Sequence, residues 1–458
     1  SPARRVCREL SRTFRRCRGG GAVTIDSPPR VHQRPHDCAR WPICLETWEN
    51  GAVSSNVPTH RFDEPSANSS AMDNLVELPD EFVLPRYGGH CLADVMPAVA
   101  RSLGLDDREW SGRSAPADPM AALPQARHWV VMLVDGMGRN LVEEHASLAP
   151  FLTRMNSIPD MTCAVPSTTA TSLTCLGTGM EPGHHGTLGY TFRSPEGPIM
   201  NALSWANGPD PLTMQARPTA FERLAEHGVE TFSIGPAGFA TSGLTQSGLR
   251  GPRYLSVRDE DDIDLRAELV ADTLRGTTAS VSYVYERSLD HVGHGSGCRS
   301  AQWRRRLTWT DELVEAIGEV LTPDSALVVT ADHGMVDVPD DHMIIAEDQA
   351  GLLADVDELG GEPRTRHVYT DHPDEVAERW RSILADRAMV LTADQALHMG
   401  LLGKWDPAMR NRLGDVLAFM RGQWAVMTRQ MPREMSLIGM HGSLTDDEML
   451  IPLLYCEG

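Results

Sequence analysis

Carboxylates and imidazoles follow several apolar segments of this chain, at the points where β-strands would end. The six residues are Asp135, Asp290, His294, Asp332, His333 and His441. Three carboxylates and three imidazoles form a mixed oxygen and nitrogen donor set that suits zinc, and manganese less well. Two metal ions about 3.5–4 Å apart could stabilise both oxygens of an in-line displacement at phosphorus. The residue types therefore indicate two-metal hydrolytic chemistry.

Each of these motifs is common when it stands alone. The Asp-Gly pair at Asp135 could be an ordinary turn, and the Asp-x-x-x-His motif that joins Asp290 to His294 could lie in a solvated loop. Asp-His-Gly is short, and His441 by itself indicates nothing. Their joint occurrence, each after a strand-like segment, is what favours a shared metal site over these alternatives.

A segment rich in hydroxyl groups, residues 166–179, contains the candidate nucleophiles. Pro166 is expected to stop a preceding strand, and the small hydroxyl residues that follow are typical of a helix start. The amides and dipole at a helix N-terminus favour an anionic phosphate group. Coordination to a metal would also favour the alkoxide form of a hydroxyl. The alternative interpretation is a simple Ser/Thr cap before an ordinary helix.

Strand-like and helix-like segments alternate from about residue 83 onward, which is typical of an α/β fold. Short continuous apolar runs, as in buried parallel strands, occupy residues 128–135, 231–235, 280–285 and 326–330. Amphipathic stretches between them predict helices at about 218–227, 262–275 and 303–321. This alternation predicts a mostly parallel central sheet with helices on both faces, and a site at the carboxyl ends of the strands.

The pattern is weaker between residues 340 and 435. It predicts helices near 374–386 and 406–420, with a short apolar run at 388–391. No linker-like composition and no internal repeat separates a second domain. We therefore expect a single catalytic domain over residues 80–458, with an inserted cap region around 340–435.

The N-terminal segment, residues 1–75, differs in composition from the rest. Its first 70 residues carry 11 Arg against 7 Asp and Glu, and they are rich in Pro, Ser and Asn without sustained periodicity. We predict that this segment is disordered, with a basic binding arm as the alternative. Met72 is a candidate alternative start, and the first 20 residues lack the apolar core of a signal peptide.

Composition and charge narrow the class of protein. Apolar residues make up 41% of the chain and charged residues 23%, as in a globular protein. A net charge of −21 argues against nucleic acid or an anionic membrane as the main partner. No apolar run approaches the 18 residues of a membrane span. Nine cysteines without paired spacing predict free thiols and a cytoplasmic location.

Together the motifs resemble the nucleotide pyrophosphatase/phosphodiesterase branch of the alkaline phosphatase superfamily. The resemblance covers roughly residues 128–335 and the segment around His441. In that family the nucleophile lies nine residues before a Thr-Gly pair, which is followed by a Pro-x-x-His-Gly turn. Thr178-Gly179 and the turn at 182–186 fit this pattern, and counting back nine residues identifies Thr169.

The resemblance also implies a role for each candidate residue. One metal would be held by Asp290, His294 and His441, and the other by Asp135, Asp332, His333 and the hydroxyl of Thr169. The nucleotide-cleaving members have an Asn three residues after the nucleophile, where it helps hold a phosphate oxygen. This chain departs from that pattern with Ser172, a shorter side chain that offers one donor for the phosphate contact. The implied reaction is attack of Thr169 on phosphorus, giving a phospho- or nucleotidyl-threonine that water then hydrolyses. His184 and His185 belong to the turn and are not counted as ligands.

The expected substrate is a small phosphorylated molecule, with a nucleotide as one candidate. Tyr190, Trp205 and Phe232 are available to hold a nucleobase, although most such aromatic residues belong to a core. A phosphomonoesterase or phosphonate hydrolase on the same scaffold is the main alternative. A non-catalytic metal-binding protein is a further alternative. A sulfatase is disfavoured because no Cys/Ser-x-Pro-x-Arg sequence is present.

Overall fold

The computed structural model describes residues 78–106, 119–276 and 278–458. The predicted disorder of residues 1–75 therefore lies outside the described residues. Of the nine cysteines, five fall within the described ranges, and those five are free thiols: Cys91, Cys163, Cys175, Cys298 and Cys456. No described helix is long and apolar enough to cross a membrane.

The helices and strands follow in chain order. The α-helices are α1 (Val95–Ser102), α2 (Arg139–Glu144), α3 (Pro150–Arg154), α4 (Thr169–Thr178), α5 (Pro182–His185), α6 (Pro211–Met214), α7 (Ala220–Glu226), α8 (Gly243–Gly248), α9 (Ile263–Thr273), α10 (Ser288–Ser296), α11 (Ala301–Gly318), α12 (Pro373–Leu384), α13 (Ala393–His398) and α14 (Asp446–Met449). The strands are β1 (His128–Val134), β2 (Asn156–Ser157), β3 (Thr191–Arg193), β4 (Ile199–Asn201), β5 (Glu230–Pro236), β6 (Arg253–Val257), β7 (Ser280–Glu286), β8 (Ser325–Thr330), β9 (Val336–Asp337), β10 (Met343–Ile345), β11 (Glu358–Glu362), β12 (Thr365–Tyr369), β13 (Ala388–Thr392), β14 (Val416–Met420), β15 (Ala425–Met427), β16 (Gly439–Met440) and β17 (Leu453–Glu457).

The main sheet has seven strands in the order β2-β17-β8-β1-β7-β5-β6. The five strands from β8 to β6 are parallel to one another. At the other edge β17 pairs antiparallel with β8, and β2 pairs antiparallel with β17. All seven residues of β1 are buried, which explains its continuous apolar run. The predicted α/β class with a mostly parallel central sheet and flanking helices is confirmed.

The register of the central strands brings distant parts of the chain to one edge. β1 lies between β7 and β8, with Val134 opposite Glu286 and Leu133 opposite Thr330. The three strands therefore end at the same level, and the loops that follow them meet there. These loops carry Asp135, the start of α10, and the Asp-His pair after β8. The sheet thus places the predicted ligands together at its carboxyl edge.

A second sheet of four antiparallel strands lies within residues 358–420, in the order β11-β12-β14-β13. Helix α12 packs on it, and the fully buried Trp380 donates a hydrogen bond to the Leu352 carbonyl at 2.8 Å. This sheet falls inside the region around 340–435 that we predicted as an inserted cap. The division into one catalytic domain, residues 80–458, and its cap stays a prediction.

The helix predicted at 406–420 is wrong. Residues 407–412 form a short 3-10 helix, and the following apolar residues form strand β14. This strand is buried at all five positions and pairs on one side with β12 and on the other with β13. A five-residue apolar run fits a central strand as well as a helix, and here the pairing partners decide.

Candidate active site

The six predicted ligands come from three strand ends and one C-terminal loop. Asp135 directly follows β1, and Asp332 and His333 follow β8. Asp290 and His294 are four residues apart on α10, so they lie on one face of that helix. His441 directly follows the two-residue strand β16, which pairs with β9 just beyond the Asp-His pair.

Asp290, His294 and His441 form one group of ligand atoms. The Oδ2 atom of Asp290 lies 3.3 Å from Nε2 of His294. Its Oδ1 atom lies 3.9 Å from Nε2 of His441. One ligand atom from each of the three residues lies within 4.8 Å of the other two, a spacing that a single cation could bridge.

A second group gathers around Nε2 of His333. Oδ1 of Asp135 lies 3.5 Å from this nitrogen, and Oδ2 of Asp332 lies 3.4 Å from it. Asp135, Asp290 and His333 also have ligand atoms within 4.8 Å of one another. Asp290 therefore lies between the two groups. The imidazole rings of His333 and His441 stack with their centroids 3.6 Å apart, so the groups are adjacent.

The three imidazoles are held in one orientation by the backbone. Nδ1 of His294 donates to the Gly439 carbonyl at 2.8 Å, and Nδ1 of His333 donates to the Gly334 carbonyl at 2.9 Å. Nδ1 of His441 donates to the Ser167 carbonyl at 2.9 Å. Because a carbonyl can only accept, each Nδ1 must carry a proton, so the neutral form of each ring has its lone pair on Nε2. This arrangement is typical of histidines that bind a metal.

Three carboxylate oxygens in the site are buried without a hydrogen-bond partner among the described residues. They are Oδ1 of Asp135, Oδ1 of Asp290 and Oδ2 of Asp332. Burial, and then the neighbouring carboxylates Asp332 and Asp290, raise the pKa of Asp135 well above its usual value. Burial likewise raises the pKa of Asp332. Buried acceptors crowded together in this way fit bound cations, which would satisfy the oxygens and offset the repulsion.

The pKa of His441 is shifted in the opposite direction to those of the carboxyl groups. Burial, followed by the nearby imidazoles of His333 and His294, lowers its pKa well below the usual value for histidine. A histidine that stays neutral can offer its lone pair at any pH near neutrality. The donor set of three carboxylates and three imidazoles therefore fits divalent cations.

Thr169 is the first residue of α4 and adjoins the second group. Its Oγ1 atom lies 3.2 Å from Nε2 of His333, the nitrogen that Asp135 and Asp332 also approach. The side chain lines a cavity, although only 6% of the residue is exposed. The first amides of a helix have no partner within it, and they point toward a ligand at this end.

Hydrogen bonds of Ser167 connect the start of α4 to the C-terminal loop. The Ser167 hydroxyl donates to the Ser443 carbonyl at 2.6 Å and accepts from the Gly442 amide at 3.1 Å. The Ser167 amide donates to the Gly442 carbonyl at 3.2 Å. Since the Ser167 carbonyl also accepts from His441, the start of α4 and His441 are fixed relative to each other.

Ser172 lies one turn into α4 and is fully buried, with no hydrogen-bond partner for its hydroxyl among the described residues. It is not among the residues that line the cavity. Its predicted contact with phosphate stays a prediction. Of the three aromatic residues considered from sequence, Tyr190 lines the cavity, whereas Trp205 and Phe232 do not.

The cavity beside Thr169 has a volume of about 610 Å³. Much of its wall is apolar or aromatic, formed by Leu173, Leu244, Leu249, Phe239, Tyr254, Tyr283, Tyr285 and Met440 among others. Tyr283 and Tyr285 stack with their centroids 6.3 Å apart, and the Tyr285 hydroxyl donates to Oδ2 of Asp135. A pocket of this size that combines an apolar wall with polar groups is typical of a small-molecule site.

Sequence reasoning missed these tyrosines and the buried Glu362. The tyrosines stand two residues apart near the carboxyl end of β7, a spacing that places both on one face of the strand. That spacing, just before Asp290, was a usable signal. Glu362 is brought to the cavity by the second sheet, and its local sequence carries no comparable signal.

Comparisons with known proteins agree with this geometry. The sequence matches the family described as type I phosphodiesterase / nucleotide pyrophosphatase over residues 129–444. A search of curated protein sequences found no match. Two similar solved structures are murine and human ectonucleotide pyrophosphatase / phosphodiesterase 5, with TM-scores of 0.57 and 0.56 and identities of 15% and 14%. Each alignment covers 71% of this chain and 87% of the other.

A third structure is an inactive threonine-to-alanine variant of the murine protein in complex with AMP. Its TM-score is 0.56 at 16% identity, again with 71% of this chain and 87% of the other covered. At these identities the structures support the fold, and the family match supports the class of activity. The chain belongs to the type I phosphodiesterase / nucleotide pyrophosphatase family of the alkaline phosphatase superfamily, and it is a phosphoric ester hydrolase.

Proposed function

We propose that this enzyme hydrolyses phosphodiester or pyrophosphate bonds of a small substrate with Thr169 as nucleophile and two divalent cations bound beside it. The observation that carries the proposal is the convergence on Nε2 of His333. The Thr169 hydroxyl and one oxygen each of Asp135 and Asp332 lie 3.2–3.5 Å from this single nitrogen. A hydroxyl in such a set of ligands can be activated for attack near neutral pH.

The proposal assigns the cations to the two groups of ligands. Asp290, His294 and His441 would hold one, and Asp135, Asp332, His333 and Thr169 would hold the other. Zinc suits these donors best, with manganese as the alternative. When bound, the cations supply positive charge that lowers the pKa of the nucleophile and stabilises the developing negative charge.

The residues of the chain account for the remaining steps. Oγ1 of Thr169 attacks phosphorus as the bond to the leaving alcohol or phosphate breaks, and the leaving group takes up a proton. The product on the enzyme is a phospho- or nucleotidyl-threonine. Water then cleaves this ester and restores the hydroxyl. The amides at the start of α4 are oriented to bind the oxygens of the phosphoryl group throughout.

The size and character of the substrate follow from the cavity. Its volume of about 610 Å³ and its tyrosine-rich wall suit a phosphate ester with an aromatic or apolar substituent. A nucleotide is one such ester, and the related murine protein forms a complex with AMP in its inactive variant. We also propose a reducing, cytoplasmic environment, in keeping with the five free thiols in the described ranges.

A comparison of two chromogenic esters tests the proposal. Zinc-loaded protein should hydrolyse bis-p-nitrophenyl phosphate with a higher kcat/KM than p-nitrophenyl phosphate. Treatment with EDTA should abolish both rates, and added Zn²⁺ should restore them. A preference for the monoester would favour a phosphomonoesterase instead. Activity that survives complete removal of the metal would refute the two-metal centre.

A further inference from the structure

Glu362 is a buried carboxyl in the cavity wall that the proposed reaction does not use. It is the last residue of β11 and pairs with Thr365 across the two-residue turn to β12. The tip of this hairpin, including Pro363, reaches from the second sheet into the catalytic cavity. Only 4% of Glu362 is exposed. A charged residue type is rarely buried to this extent without a partner.

Neither carboxyl oxygen of Glu362 has a hydrogen-bond partner among the described residues. The Thr168 hydroxyl and the Tyr190 amide favour its ionised form, but neither meets the geometry of a hydrogen bond to it. Both of those residues line the cavity as well. A buried polar group of this kind requires a partner, and a substrate in the cavity can provide it.

The neighbouring arginines are bound to other carboxylates. The Arg366 guanidinium donates to Oε2 of Glu434 at 2.5 Å, and that of Arg364 donates to Oε2 of Glu448 at 2.6 Å. Two further arginines, Arg287 and Arg433, line the cavity. Arg287 pairs with Glu260, and Arg433 is exposed. No ion pair is recorded for Glu362 in the described part of the chain.

The side chain lies close to both halves of the catalytic machinery. A Cβ atom added to Gly442 would lie 2.6 Å from Cγ of Glu362, so this side chain packs on the backbone directly after His441. On its other side it approaches Thr168, which directly precedes the proposed nucleophile. Thr169 and Glu362 also line the same cavity, so a phosphoryl group attached to Thr169 would enter the space that the Glu362 carboxyl borders.

The protonation state of Glu362 decides whether its contact with a phosphoryl oxygen is favourable. Burial, and then the negative charge of Glu434, raise the pKa of Glu362 to about 8 against the opposing effects of Thr168 and Arg366. An ionised carboxylate would repel phosphoryl oxygens, whereas a neutral carboxylic acid can donate a hydrogen bond to one of them. A hydrogen bond to a charged oxygen is among the stronger kinds.

We propose that Glu362 is a further substrate-binding residue, whose carboxyl group donates a hydrogen bond to an unesterified oxygen of the phosphoryl group beside Thr169. This inference rests on the proposed function, since it takes the phosphoryl group to be bound at Thr169. It assigns the tip of the β11–β12 hairpin to recognition of the reacting group.

Two substitutions separate this role from the alternatives. Glu362→Gln keeps a neutral donor of the same length, and Glu362→Ala removes it. Glu358→Gln, at the other end of β11 in an ion pair with Arg193, is the matched control. Binding of inorganic phosphate to each zinc-loaded protein would be measured by calorimetry, together with zinc content and thermal unfolding. KM and kcat would be measured with bis-p-nitrophenyl phosphate.

The Gln variant and the control should bind phosphate within about threefold of the wild type, and the Ala variant should bind roughly 10- to 100-fold more weakly. Zinc content should be equal in all four proteins. Equal losses in the Gln and Ala variants would overturn the proposal, because a carboxylate would then be required. Unchanged binding in the Ala variant would overturn it as well. If the Ala variant does not fold, Glu362→Met replaces it.

The binding measurement also separates this inference from the proposed function. If the wild type hydrolyses no diester but the four proteins bind phosphate in the expected order of affinity, the proposed reaction fails and the role of Glu362 stands. If the diester is hydrolysed but phosphate binding and KM do not depend on residue 362, only the role of Glu362 fails.

Discussion

Thr169 contributes one hydroxyl to a site that otherwise consists of carboxylates and imidazoles. We expect Thr169→Ala to lower kcat by at least about 1,000-fold, because the bond to phosphorus can no longer form. Zinc content should stay close to that of the wild type, since the hydroxyl is one ligand among several. Steady-state kinetics and elemental analysis of the purified variant would measure both quantities.

Thr171 provides the matched control for this substitution. It lies two residues further along α4, is fully buried, has an unpartnered hydroxyl among the described residues and does not line the cavity. Thr171→Val should therefore leave kcat nearly unchanged. Full activity in Thr169→Ala would exclude the covalent mechanism, whatever the metal content.

Asp290 and His441 belong to the same group of proposed metal ligands. Either Asp290→Ala or His441→Ala removes a proposed ligand that the remaining residues of its group cannot replace. Affinity for zinc should fall by at least about 100-fold, because even the loss of groups behind the ligands weakens binding 10- to 100-fold. Activity should fall in parallel. A competition titration against a zinc-binding dye would measure the affinity.

His184 is the control for the loss of an imidazole. It lies in the turn of α5, about half buried, and is separate from both groups of ligands. His184→Ala should retain the zinc affinity of the wild type. Normal zinc binding in both Asp290→Ala and His441→Ala would show that the two groups do not hold the metal.

At the scale of secondary structure elements, the turn after β1 packs directly against helix α10. Gly136 has φ +71°, and a Cβ atom added there would lie 2.9 Å from Cβ of Asp290. The turn and helix α10 can therefore approach each other only because residue 136 has no side chain. The same Gly136 amide donates to Oδ1 of Asp332 at 3.1 Å.

We expect Gly136→Ala to displace Asp290 and so to lower both zinc affinity and activity. Its stability should fall by more than the roughly 1–2 kcal/mol that a left-handed alanine costs. Gly228→Ala is the control, since Gly228 has φ +79° with nothing within 4 Å of its added Cβ. This control should lose stability but keep its zinc. Urea denaturation and zinc analysis of both variants would distinguish the effects, and equal zinc content would contradict the expectation.

At the scale of the whole molecule, a buried ion pair joins the second sheet to the C-terminal segment. Arg364 lies in the turn between β11 and β12, and its Nε and Nη2 atoms donate to Glu448 at 3.0 and 2.6 Å. Both side chains are fully buried. Glu448 also accepts from the Ser443 amide at 3.0 Å, so the pair adjoins the loop that carries His441.

Arg364→Met should lower the free energy of unfolding by about 3–5 kcal/mol, because it leaves a buried carboxylate without its partner. Arg429→Met is the control, since Arg429 pairs with Asp348 at 2.6 Å with both side chains more than half exposed. The exposed pair should contribute at most about 1 kcal/mol. Urea denaturation followed by tryptophan fluorescence would compare the two, and equal losses would contradict this account of how the sheets are joined.

The parts of the fold that could be predicted are those in which a local pattern has one structural solution. The fully buried run of β1 and its counterparts in β5, β7 and β8 are short, apolar and followed by turns. Such runs read as parallel strands because both faces are covered. Strand β14 has the same kind of run, but the residues before it resemble a helix start, and only its antiparallel partners settle its structure.

The sequence by itself supplied the candidates for the proposed chemistry: the types of possible ligand, their order at strand ends, and the resemblance to a family motif that implies Thr169. Parallel strands end at a common edge, so these residues had to meet once the sheet was recognised. Only the tertiary structure decided that Asp290 lies between the two groups and that Glu362 enters the cavity wall. Those contacts join segments far apart in the chain, and their geometry depends on how hairpins and loops pack, which no local pattern encodes.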